Sequence, residues 1–160
     1  MQLIKTFPAD RFAGALDSWQ WIGLEDKTPA YASLFGDIFL RGLDGIWWLD
    51  TVGGTLQRRW PSMEAVSAEL NTAEGQERYL FAGLTAELAR RGLTPAAEQV
   101  YDFSHPPALG GAIDPDNVDV IDFVVGVNIA GQLHDQLRAL PEGTQIRGVS
   151  FDDGRLVVEY

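Results

Sequence analysis

The stretch YASLFGDIFLRGLDGIWWLDTVGGTLQRRW, residues 31–60, decides the fold class. Apolar runs of strand length alternate there with turn signals at hairpin spacing. Residues 34–41, 45–51 and 55–60 read as strands, with Leu43, Asp44 and Gly45, then Gly53 and Gly54, as the turns between them. A three-stranded antiparallel meander follows. Its middle strand carries Ile46, Trp47, Trp48 and Leu49 in succession, so apolar side chains leave both faces and both faces need cover.

The cover is read on either side of the meander. Upstream, residues 7–16 read as a short helix, followed by Trp19, Trp21, Ile22 and Leu24 and a polar turn at 25–29. Residues 1–28 thus form a packed lead-in. Downstream, Ser62 reads as an N-cap for a helix with Met63, Val66 and Leu70 on one stripe. A second helix starts after Thr72, with Leu80, Leu84 and Leu88 at four-residue spacing, Arg90 and Arg91 in its last turn and Gly92 just beyond. Residues 99–103 read as a short strand, and the Pro- and Gly-punctuated 105–111 as a loop without regular structure.

Residues 118–127 are rich in β-branched side chains and read as a buried strand, although period alone also allows a buried helix. Asn128 then reads as the N-cap of a helix striped by Ile129, Leu133, Leu137 and Leu140, ended by Pro141 and Gly143. A hairpin closes the chain, 145–151 against 155–160 around Asp152, Asp153 and Gly154. The expectation is one α+β domain over residues 1–160, with a mixed, mainly antiparallel sheet and helices packed on it.

Composition narrows the function. At 160 residues with 46% hydrophobic and 22% charged side chains, the chain can bury a core without disulfides. It has no cysteine, which removes thiolate metal sites and Cys nucleophiles. Residues 1–8 are too short an apolar run for a signal peptide, and nothing approaches the roughly 20 apolar residues of a membrane span, so the expected location is cytoplasmic.

The formal charge is −11, which disfavours nucleic acid and anionic membranes and favours a basic partner. That charge is uneven: residues 1–96 hold 12 acids and 9 bases, residues 97–160 hold 11 acids and 3 bases. Asp114, Asp116, Asp119, Asp152, Asp153 and Glu159 are therefore the candidates for one acidic, partner-binding face, against the plainer reading of a solvated surface that keeps the protein in solution.

Catalytic and metal signatures are missing. The two histidines, His105 and His134, lie on different elements with no metal-ligand spacing, and each reads as a structural, hydrogen-bonded residue. The acidic run from Asp114 to Asp119 fails as a calcium loop, because Asp119 stands where a Gly is needed and Val125 where a Glu is needed. Neither a phosphate-binding glycine motif nor a G-x-S-x-G elbow is present. Asp122, set among Val120, Ile121, Phe123 and Val124, must hydrogen-bond a neighbour or mark an exposed face. No metal, cofactor or catalytic residue is expected.

Several stretches together carry a resemblance. YASLFGDIFLR (31–41), WWLDT (47–51), GTL (54–56), YDFSHPPALGG (101–111), GQLHDQ (131–136) and LPEGT (140–144) look like one bacterial family. It is the C-terminal domain of type VI secretion DNase immunity proteins, itself similar to the broader SUKH group of toxin-immunity folds. The likeness spans about residues 20–146. Its distinctive positions here are Gly36, Asp37, Asp50, Tyr101, Phe103, Pro106, Pro107, Gly110 and Gly111, which read physically as turn and strand-end determinants as readily as contacts.

What the resemblance implies is a non-enzymatic immunity protein that binds and neutralises a cognate toxin, such as a nuclease effector, in the cytoplasm. It also implies an additional N-terminal domain, for which residues 1–28 are too short. Self-association is left open. The alternative is a small-ligand or regulatory module with a pocket between the sheet and the Pro-Pro loop, near Tyr101 and His105.

Overall fold

The computed structural model describes residues 2–160. Its centre is a five-stranded antiparallel sheet in sequential order: β1 (Ile4–Lys5), β2 (Thr28–Ser33), β3 (Ile38–Gly42), β4 (Gly45–Asp50) and β5 (Thr55–Trp60). The expected meander is its β3–β4–β5 part, in the expected register of tight turns. Two strands were not anticipated. Pro29 had marked a turn, but it lies inside β2 beside a register shift between Pro29 and Tyr31, the irregularity at which a strand accepts proline.

Residues 34–37, read as strand, are instead the turn from β2 to β3. Gly36 takes a φ of +87° there and Ser33 N–H donates to the Asp37 carbonyl at 2.8 Å.

Both faces of the sheet are covered, as the Trp47–Trp48 pair required. Trp47 and Leu49 face a cluster built on Phe12, Trp19 and Phe123, which come from the lead-in and the long helix. Ile46 and Trp48 face the opposite cluster of Phe39, Trp60, Val66 and Tyr79. The first helix, α1 (Ala9–Ala15), is followed by a 3-10 segment (Asp17–Ile22) that carries the fully buried Trp19.

Helix α2 (Met63–Leu70) is capped by Ser62, whose hydroxyl accepts from Ala65 N–H at 3.2 Å. The helix expected after Thr72 is two helices, α3 (Ala73–Leu80) and α4 (Ala82–Arg90), because Phe81 adopts a left-handed φ of 51°. That turn carries the Phe81 ring to Phe35 and Phe103, 5.0 and 5.9 Å between centroids, so aromatic packing outweighs the helical pattern. Gly92 ends α4 as expected. Leu93 N–H reaches the Leu88 carbonyl and Gly92 N–H the Ala89 carbonyl, the paired bonds of a Schellman motif.

The third region departs most from the sequence pattern. β6 (Gln99–Phe103) pairs antiparallel with β7 (Val118–Asp122), and the strand stops there rather than at residue 127. Asp122 is the N-cap: its carboxylate accepts from Val125 N–H at 3.1 Å and from the Arg11 guanidinium at 2.7 Å, and α5 (Phe123–Arg138) begins directly after it. The β-branched run is therefore helical from Phe123 on, held by burial of Phe123, Val127 and Gly131 against α1 and Trp19.

Asn128 is mid-helix rather than a cap. Its amide donates to the Gly14 and Val124 carbonyls and its oxygen accepts from Ser18, pinning α5 to the lead-in. The 105–111 loop contains one 3-10 turn, Pro107–Leu109, where no regular structure was expected. A separate hairpin closes the chain, β8 (Gly148–Asp152) and β9 (Arg155–Glu159), with Asp153 and Gly154 both at positive φ as its two-residue turn. Every strand pairing is antiparallel and the fold class is α+β.

Candidate functional site

Five segments remote in sequence meet around one cavity of about 240 Å³. Helix α5 supplies its floor with Val127, Ala130, Leu133 and His134. β6 supplies a wall with Val100 and Asp102, continued by Ile121 of β7. Phe35 of the β2–β3 turn, Thr51 and Val52 of the β4–β5 turn, and Pro106, Pro107 and Leu109 of the Pro-Pro loop complete the lining. The closing hairpin supplies the rim through Val149, Phe151 and Leu156, and Phe151 remains 58% exposed there, so the cavity opens to solvent past an aromatic edge.

Buried hydrogen bonds hold Thr51 in the lining. The Asp37 carboxylate, 1% exposed, accepts from Thr51 N–H at 2.8 Å, Thr51 Oγ1–H at 2.9 Å and Ser33 Oγ–H at 3.1 Å. It ties the turn after β4 to the turn before β3. Burial, with the Asp50 charge added, pushes its carboxyl up to about 7 against those three bonds, which favour the anion. Asp50 itself accepts from Val52 and Gly53 N–H at 3.0 and 2.9 Å and shapes the β4–β5 turn.

Thr51 then passes the connection on, its carbonyl accepting from His134 Nε2–H at 3.1 Å. Burial lowers the His134 pKa below its ordinary 6.5, so the ring is neutral at neutral pH. Gly54 makes room for the ring: a Cβ there would stand 2.3 Å from Nδ1, and its φ of +73° already favours glycine.

The hairpin is held over the cavity by two side chains that sequence reading missed. Gln132 Oε1 accepts from Leu156 N–H at 2.8 Å; Gln136 Nε2–H donates to the Leu156 carbonyl at 2.6 Å and its Oε1 accepts from Val158 N–H at 2.8 Å. The outer edge of β9 is thus paired by amides one helical turn apart. Their signal was the four-residue spacing beside an apolar stripe.

Asp102 was missed too. In β6 it alternates with Tyr101 and Phe103, so it shares the α5-facing side with Val100. The partly buried carboxylate accepts no hydrogen bond from any described residue. Burial, helped by the charge of Asp119 paired opposite it, pushes it up to about 6.

The expected residues fall as follows. Tyr101 and Phe103 are buried, Tyr101 O–H donating to the Leu93 carbonyl at 2.6 Å. Gly110 takes a φ of +94°, and a Cβ on Gly111 would meet the His105 carbonyl oxygen, so the Pro-Pro loop closes tightly on itself. His105 lies outside the cavity lining, its Nε2 against the Leu109 carbonyl at 3.1 Å.

All six candidates for an acidic face are exposed. Asp116 pairs with Arg91 at 2.7 Å, Asp114 caps the Pro115–Asn117 turn, and Asp119 accepts from Val120 N–H at 2.8 Å. Asp152, Asp153 and Glu159 lie on the hairpin. No hydrogen bond or ion pair among the described residues joins the two groups. Both histidines donate to or face carbonyl oxygens rather than a hydroxyl or carboxylate. Among the described residues no group of three or more His, Asp or Glu is placed to hold a metal ion, and no helix is long and apolar enough to cross a membrane.

No protein-family model matches the sequence, and none of the curated proteins matches it significantly. Among solved structures the chain is similar to the crystal structure of Atu4351 from Agrobacterium tumefaciens, with 17% identity and a TM-score of 0.44 over 78% of this chain. The match covers 62% of that longer chain.

Proposed function

We propose that the chain is a cytoplasmic, stoichiometric binding protein of the toxin-immunity kind, which neutralises a basic effector such as a type VI secretion nuclease by occupying it. One observation carries the reading. Five of the six stretches behind the family resemblance place residues on or directly behind the same cavity: Phe35, Thr51, Gly54, Tyr101 with the Pro-Pro loop, and Leu133 with His134. Their shared sequence pattern then describes one built feature rather than scattered turns. The acidity of residues 97–160 supports a basic partner through steering and complementarity.

Co-expression with the product of the neighbouring reading frame tests the reading. Cells survive and the two proteins copurify if it holds; unrelieved toxicity, or a harmless neighbour that binds nothing, rejects it. The cavity also favours a second reading, a module for a free small ligand. A metabolite that raises the melting temperature in the absence of any protein partner would favour that one.

A further inference from the structure

We infer that the cavity between α5, β6 and the closing hairpin is the anchor site for a lysine or arginine side chain of the bound protein partner, its apolar stem against α5 and its charged head at Asp102. This rests on the binding-protein reading above and adds the chemistry of the contact. The cavity has the mixed character such a side chain needs. Val100, Ile121, Val127 and Leu133 line it with hydrocarbon, and the carboxylate of Asp102 stands on the same wall. Long basic side chains bury their methylenes on apolar surface while keeping the charge at a polar end.

Three observations select a cation over an apolar or anionic occupant. Asp102 is partly buried and accepts no hydrogen bond from the described residues, leaving its acceptor capacity open. Asp119 sits directly opposite in the β6–β7 register, so two like charges face one another and a cation relieves both. The exposed Phe151 at the rim supplies an aromatic face at the entrance. A pocketed basic anchor surrounded by apolar contacts is the arrangement in which a few residues carry most of an interface's energy.

Two measurements on the full chain test the anchor. In the first, amide chemical shifts are followed during titration with n-butylammonium, the lysine side-chain analogue, and with 1-butanol of similar shape. The amine is expected to bind about fivefold or more tighter than the alcohol, as a charge-assisted bond to a carboxylate implies, with shifts confined to the cavity wall and Leu156. In Asp102→Asn the preference should vanish. Equal binding of both probes, or shifts elsewhere, overturns the inference.

In the second, affinity for the neighbouring gene's product is compared between wild type, Asp102→Asn and the surface control Glu74→Gln on α3. Asp102→Asn is expected to weaken the complex by about tenfold or more, the usual loss at an anchor, with the control unchanged. A complex that forms normally and ignores Asp102→Asn overturns the anchor alone. Absence of any wild-type complex rejects the binding-protein reading, and the protein source of the basic group with it.

Discussion

Replacing Asp102 with asparagine should make the free protein more stable at neutral pH. The carboxyl is pushed from 3.8 to about 6 by burial and by Asp119. About two pKa units at ~1.4 kcal/mol each set a ceiling of about 3 kcal/mol on what its ionisation costs the native state. Because the side chain is only partly buried, solvent reduces this to about 1–2 kcal/mol. The sign follows from proton counting. Between pH 4 and about 6 the native chain holds a proton on Asp102 that the unfolded chain has lost, so wild-type stability declines as pH rises through that window. Asparagine carries no such proton.

The gain from Asp102→Asn is therefore full above about pH 7, fades as pH falls through 6 toward 4, and is gone below about pH 3, where the aspartate is protonated in both states. Urea unfolding followed by tryptophan fluorescence reads it. A gain of 1–2 kcal/mol moves the midpoint by about 0.5–1 M at neutral pH. Taking the difference between variant and wild type cancels the titrations of Asp37 and His134, which both proteins share. A midpoint that does not rise, or one that rises equally near pH 4, refutes the reasoning. Higher stability with weaker partner binding would mark a residue kept for function at a cost in folding.

Other perturbations test the scaffold. Asp37→Ala leaves Thr51 N–H, Thr51 Oγ1 and Ser33 Oγ without their buried partner, and should cost about 3 kcal/mol in chemical denaturation. A loss below about 1 kcal/mol would mean those donors find water. Gly54→Ala drives a methyl into the His134 ring from a left-handed backbone and should lower stability by about 2–4 kcal/mol, visible as a melting temperature several degrees lower. The double change Gln132→Ala with Gln136→Ala frees the β9 edge. Hydrogen exchange at Leu156 and Val158 should then accelerate about tenfold or more while the Trp19 core is unaffected. Uniform acceleration across the chain would show that the hairpin is not a local unit.

The parts of the fold legible in the sequence are those set by short-range chemistry. Trp47 beside Trp48 demanded two covered faces, Gly92 ended α4, and Asp153 with Gly154 made the hairpin turn. What failed depended on distant partners. Pro29 sits in a strand because a bulge receives it, and Phe81 breaks a helix because Phe35 and Phe103 draw its ring in. Val124, Val125 and Val127 are helical because Asp122 caps the segment and Arg11, more than a hundred residues away in sequence, holds the cap. The sequence suggested a pocket between the sheet and the Pro-Pro loop near Tyr101 and His105; Tyr101, Pro106 and Pro107 do line the cavity, while His105 lies outside it. The cavity's carboxylate lay in plain view in VYDF, residues 100–103, an acid between two aromatics in a strand, but only the register with Asp119 and the closing hairpin gives it meaning.

The proposed function has this chain hold a basic toxin through the cavity face. Size-exclusion chromatography with light scattering, on a mixture of the purified chain and an inactivated form of the neighbouring gene's product, is the direct test. A single 1:1 complex at micromolar concentration, weakened by Asp102→Asn, is the expected result. Two species eluting at their separate masses would contradict it.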